Sequence, residues 1–117
     1  MKTSLKKILI VGSAPDALRT ASWDTSFFSH IIAINNAWMA CPSWNCLIFP
    51  DDFPKERHPC ADALKGKQVV TSNEFVPIQN EFGGFVYAGG TMSFTAGYWA
   101  LGALKPDVIA YIGCDMV

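Results

Sequence analysis

The chain has 117 residues, of which 50% are hydrophobic, 13% aromatic and only 16% charged, and nine basic against ten acidic side chains leave a formal net charge of -1. That length holds one domain of ordinary size. The apolar content excludes intrinsic disorder as the main description, and the near-neutral balance argues against the basic field that grips a phosphate backbone, so no nucleic-acid partner is expected.

Residues 7–11 (KILIV) form a continuous apolar run ended by Gly12, the pattern of a strand buried on both faces. Lys2, Lys6 and Lys7 precede only a short run from Ile8 to Val11, which is too brief for a secretory leader or a membrane span. A cytoplasmic location is expected. Pro15 suits the first turn of a helix, predicted over residues 16–21. Residues 31–34 (IIAI) make the second strand and end at Asn35-Asn36. Residues 46–49 (CLIF) make the third, closed by Pro50-Asp51-Asp52, from which Pro54 can lead a short helix towards Arg57. A fourth strand is predicted at 68–71 (QVVT), and residues 85–87 (FVY) add a short strand or an extended approach.

The strongest helix pattern covers residues 91–104, capped by Thr91 or Ser93 and ended by Pro106. Met92, Phe94, Trp99, Leu101 and Leu104 surround it with small residues between them, and a helix apolar on every side is a buried one. Residues 108–112 (VIAYI) form the last strand, followed by Gly113-Cys114-Asp115. Strands alternating with helices predict an α/β fold, a Rossmann-like three-layer sandwich with a mainly parallel sheet of about five strands.

A parallel sheet turns all its strand-end loops to one rim, where ligands of such folds bind. Gly12-Ser13-Ala14-Pro15, Asn35-Asn36, Asp51-Asp52, Gly89-Gly90-Thr91 and Gly113-Cys114-Asp115 then meet there, polar and small against almost wholly apolar strands. The first segment resembles a shortened phosphate turn but lacks G-x-G-x-x-G and the P-loop lysine, and a plain strand-to-helix turn explains it as well. Gly89-Gly90-Thr91-Met92-Ser93 is a second anion candidate, or a glycine turn with an N-cap threonine. Asn35 and Asn36 offer paired donors and acceptors for a base or ribose, yet asparagine also tolerates the positive φ of a turn. Asp51-Asp52 suit Mg2+ or a solvated turn, and His58 a general base or an exposed loop. Cys41, Cys46, Cys60 and Cys114 follow no zinc spacing, so no metal site is expected and they read as reduced thiols.

The segments "ILIVGSAP", "IIAINNAW" and "GGTMSFTAGYWALGALKPDVIAYIGCDM" together resemble the nucleotide-binding half of family 42 bacterial sialyltransferases. They are similar as well to the Rossmann-like proteins known as 6-hydroxymethylpterin diphosphokinase-like. The resemblance implies nucleotide contacts at Gly12, Ser13 and Ala14, a ribose or base contact at Asn35 or Asn36, and phosphate or base contacts at Gly90, Thr91, Met92 and Ser93. It sets Asp115 near the sugar or ribose. The implied ligand is CMP or a CMP-activated sugar, with no required cofactor, and the implied reaction is glycosyl transfer. Ser13-Ala14-Pro15-Asp16 departs from the family by lacking a second glycine and the serine after proline. The family's catalytic histidine and tyrosines would lie beyond Val117, so His58 and Asp52 are the candidates for a base in this chain. Two alternatives stay open: a non-catalytic nucleotide-binding or assembly module, and a diphosphokinase-like transferase with Mg2+ at Asp51-Asp52. A sheet stopping near Val117 predicts an exposed edge and hence a homodimer.

Overall fold

The computed structural model describes residues 5–51, 53–81 and 92–114. The predicted strand at 85–87 lies outside them. Five strands form one sheet: β1 (Lys7–Val11), β2 (His30–Ile34), β3 (Cys46–Ile48), β4 (Gln68–Val70) and β5 (Val108–Ile112). Every pairing is parallel, in the order β4-β3-β2-β1-β5. The chain is thus an α/β Rossmann-like sandwich.

The apolar runs of the central strands serve two cores, one on each face. Ile8, Ile10, Ile32, Ile34, Ile48 and Val70 point to one side and meet two helices, α2 (Ser72–Glu81) and α3 (Met92–Ala103), through Phe75, Met92, Ala96, Trp99 and Ala100. Leu9, Val11, Ile31, Ala33 and Leu47 point to the other and meet Ala17, Ala37, Cys41, Trp44, Phe49 and Phe53. The four-residue helix α1 (Ala61–Leu64) belongs to this second side, where Leu64 packs.

Topology explains the division. The crossovers β1–β2, β2–β3 and β3–β4 all step the same way across the sheet, and their buried residues lie on the second face. The β4–β5 crossover steps back past β1 and carries α2 and α3 on the first face. Connections of one hand that run in opposite directions must lie on opposite faces. The switch of direction falls between β1 and β5.

Two elements differ from the sequence expectation. Residues 16–21 are not α-helical; a 3-10 helix runs Pro15–Ser22, with Ala17 and Thr20 buried. Burial at a spacing of three suits 3.0 residues per turn, and the Thr20 hydroxyl lies 2.7 Å from the carbonyl oxygen of Ala17, which holds the tighter turn. Further 3-10 helices span Asn35–Met39 and Lys55–Arg57, the latter where a short helix towards Arg57 was expected. Helix α2 is absent from the sequence reading because Pro77 sits inside it and breaks the helical pattern. No helix among the described residues is long and apolar enough to cross a membrane.

Candidate functional site

The parallel register brings the strand ends to one rim. Val11 stands opposite Ala33 and Ile112, and Ile34 opposite Ile48, so Gly12, Asn35, Phe49 and Gly113 leave the sheet side by side.

At the switch between β1 and β5 the two loops are locked to each other. Gly12 donates its N–H to the carbonyl of Ile112 at 2.8 Å, and Ala14 donates to that of Gly113 at 3.0 Å. A Cβ on Gly12 would lie 2.8 Å from the carbonyl carbon of Gly113, so the missing side chain admits the β5 loop. Gly113 has φ +68, and a Cβ there would meet that of Ala17 at 2.8 Å. The close backbone approach that Gly12 permits therefore serves Gly113. The phosphate-turn expectation loses the Ala14 amide as a free donor, and Pro15 has none.

The β2 end has a different character. Asn35 adopts φ 54, the left-handed conformation that asparagine tolerates better than other side-chain-bearing residues. Its Oδ1 is buried with no hydrogen-bond partner among the described residues. A buried amide oxygen without a partner carries a desolvation cost of about 1–3 kcal/mol that a donor would remove. Asn36, half-buried, is the second residue of the 3-10 helix Asn35–Met39.

Between the 3-10 helices Pro15–Ser22 and Asn35–Met39 lies an open cleft of about 450 Å3. Ser13, Ala14, Pro15 and Leu18 line it from the β1 side, and Asn36, Met39 and Ala40 from the β2 side. Thr20 Oγ1 lies 3.3 Å from the carbonyl oxygen of Ala40, fastening one helix to the other. The structure thus brings Ser13, Ala14 and Asn36 together. Leu18 and Met39, exposed at 65% and 68%, were not anticipated from the sequence; Leu18 falls in the stretch predicted as a regular helix, and no element was predicted at Met39. A spacing of three between small residues Ala14, Ala17 and Thr20 is the signal that places Leu18 outside.

The remaining candidates lie elsewhere. His58 stacks on Phe53 with ring centroids 4.9 Å apart, sits 4.6 Å from the Phe49 ring, and keeps Nε2 3.3 Å from the Phe53 carbonyl oxygen. It is not among the residues lining the cleft. Asp51 is exposed in the turn after β3. Met92, the first residue of α3, is buried in the core. Asp52, Gly90, Thr91 and Asp115 lie outside the described residues, as does the side chain of Ser93. No disulfide joins any of the four cysteines, and burial pushes the Cys46 thiol up to about 12. Among the described residues no three His, Cys, Asp or Glu side chains gather as a metal site. Comparison with known proteins gives no match: no family model fits the chain, and no curated protein or solved structure is significantly similar to it.

Proposed function

We propose that this chain is a cytoplasmic nucleotide-binding domain that takes CMP or a CMP-activated sugar at the strand-end rim. The observation that carries the reading is the cleft in which Ser13 and Asn36, from two different strand ends, face one volume of small-molecule size. Asn36 supplies a donor and an acceptor on one rigid amide, and Ser13 a hydroxyl, the groups that read a base edge or a ribose. The buried Oδ1 of Asn35, without a hydrogen-bond partner among the described residues, is a further acceptor at the same rim. Four cysteines without a disulfide between them accord with a reducing compartment. Where the domain takes part in catalysis, the reaction class is sugar transfer from the activated donor.

The test is thermal unfolding with millimolar CMP, without and with Mg2+. A ligand that binds the folded state alone at ten times its Kd adds about 1.4 kcal/mol, a rise of several degrees for a domain of this size. A metal-independent rise that disappears in Asn36→Ala supports the reading. No shift with any nucleotide overturns it, and a shift with ATP only in Mg2+ replaces it with phosphoryl-transfer chemistry.

A homodimer through β5 belongs to the same proposal. The strand is paired on one side by β1, and Val108 and Tyr111 are exposed at 41% and 49%. Its five residues include no charge or proline to discourage a second strand. Sedimentation as a monomer at high concentration would remove this part while leaving the ligand site untouched.

A further inference from the structure

From the lining of the rim cleft we infer that it is a slot for the neutral, flat ring of the ligand and excludes the phosphate. The inference rests on the nucleotide reading above and specifies which end of the ligand enters.

Three features turn an anion away. The amide of Ala14 is already donated to Gly113 at 3.0 Å, and the next residue, Pro15, has no N–H, so two of the amides that would cradle an oxyanion are lost. The first turn of the 3-10 helix Pro15–Ser22 carries the exposed Asp16, and an acidic residue in a first turn disfavours a second negative charge there. No lysine, arginine or histidine lines the cleft among the described residues. A phosphate entering here would lose its water and gain neither a cation nor the usual backbone donors.

Three other features suit a ring. Leu18 and Met39 keep apolar side chains exposed at 65% and 68% on opposite strand-end turns of one cleft. Exposed residues of this kind, gathered around a concavity, mark a surface that a ligand covers. The thioether of methionine is polarizable and makes favourable contacts with aromatic rings. Asn36 and Ser13 then set polar groups beside that apolar slot, able to pair with ring nitrogens and exocyclic groups without any charge. The base enters, and the phosphate end stays outside the cleft.

The experiment is calorimetric titration of the full chain with cytidine, CMP and ribose 5-phosphate at two salt concentrations, repeated on Leu18→Ser and Met39→Ser. Both side chains are exposed, so the variants keep the fold, and their thermal midpoints verify it. Cytidine is expected to bind within a factor of about three of CMP with little salt dependence, and each serine variant to weaken both by roughly tenfold. Ribose 5-phosphate binding as well as CMP, while cytidine fails, would overturn the ring slot and leave the nucleotide reading standing. Undiminished CMP binding in both serine variants would do the same. Failure of all three probes would overturn the nucleotide reading itself.

Discussion

Gly12 and Gly113 close the rim between β1 and β5 as a reciprocal pair, each occupying the space where the other's Cβ would stand. Gly12 Cβ would meet the backbone of Gly113, and Gly113 Cβ would lie 3.0 Å from the carbonyl oxygen of Gly12. Backbone cannot give way as a flexible side chain can. Gly12→Ala is therefore expected to destabilise the domain by about 2–4 kcal/mol, among the larger effects of a single substitution. Urea unfolding measures it. A loss below about 0.5 kcal/mol, the range of ordinary surface changes, would show that the two loops are not packed this closely.

Asn35 separates conformation from chemistry. Its φ of 54 costs an ordinary side chain about 1–2 kcal/mol, whereas glycine adopts it freely. Asn35→Gly is expected to keep nearly the native stability, and Asn35→Ala to lose about 1 kcal/mol. If Oδ1 accepts from a ligand, both variants weaken CMP binding alike. Affinity that follows stability instead of the amide would make Asn35 a turn residue only.

Thr71 and Glu74 start α2 as a capping box. The carboxylate of Glu74 accepts from the Thr71 amide at 2.7 Å and from its hydroxyl at 2.6 Å. These bonds hold the Glu74 carboxyl below the usual carboxylate range. Glu74→Ala is expected to cost about 1 kcal/mol at neutral pH. Because the folded-state value is depressed, the contribution is present above the unfolded pKa and fades as pH falls through the folded one. Wild type and variant should converge in denaturant midpoint on acidification.

Stability is expected to decline at both ends of the pH range. Burial pushes the Cys46 thiol up to about 12, so above the ordinary thiol value of 9.0 the unfolded chain releases a proton that the folded chain keeps. Stability is complete below that point and falls by up to about 1.4 kcal/mol per pH unit beyond it. Tyr111, raised by burial and by the charges of Cys114 and Tyr98, adds to the same trend. On the acid side burial, with Lys6 nearby, lowers His30, so stability falls once the unfolded imidazole takes up its proton. Cys46→Ala should flatten the alkaline limb. An unchanged slope would mean the thiol ionises as readily in the folded chain as in the unfolded one.

The three central strands were legible because a strand buried on both faces must be apolar, as residues 8–11 and 31–34 are, and the two edge strands because short runs rich in β-branched residues follow turns. Their order was not, since nothing local tells β5 to lie beside β1. The T-x-x-E pattern of residues 71–74 announced α2, but Pro77 inside the helix masked it. The rim itself followed from parallel topology alone. What that topology could not give was the use made of each residue. Gly12 admits another loop of the chain, and Leu18 is turned outward by a helix of three residues per turn.

The single long crossover also sets a timetable for folding. Ile8 pairs with His30 on one side, a near neighbour in sequence, but with Ile109 on the other, about a hundred positions away. At synthesis rates of about 5–20 residues per second, β1 waits roughly 4–16 seconds after β2 has appeared before β5 exists to cover its second edge. During that interval a strand with four buried residues in the finished sheet offers a row of open amides and carbonyls. The nascent domain is then at its most adhesive, and the arrival of β5, more than the formation of any helix, is the event that ends the exposure.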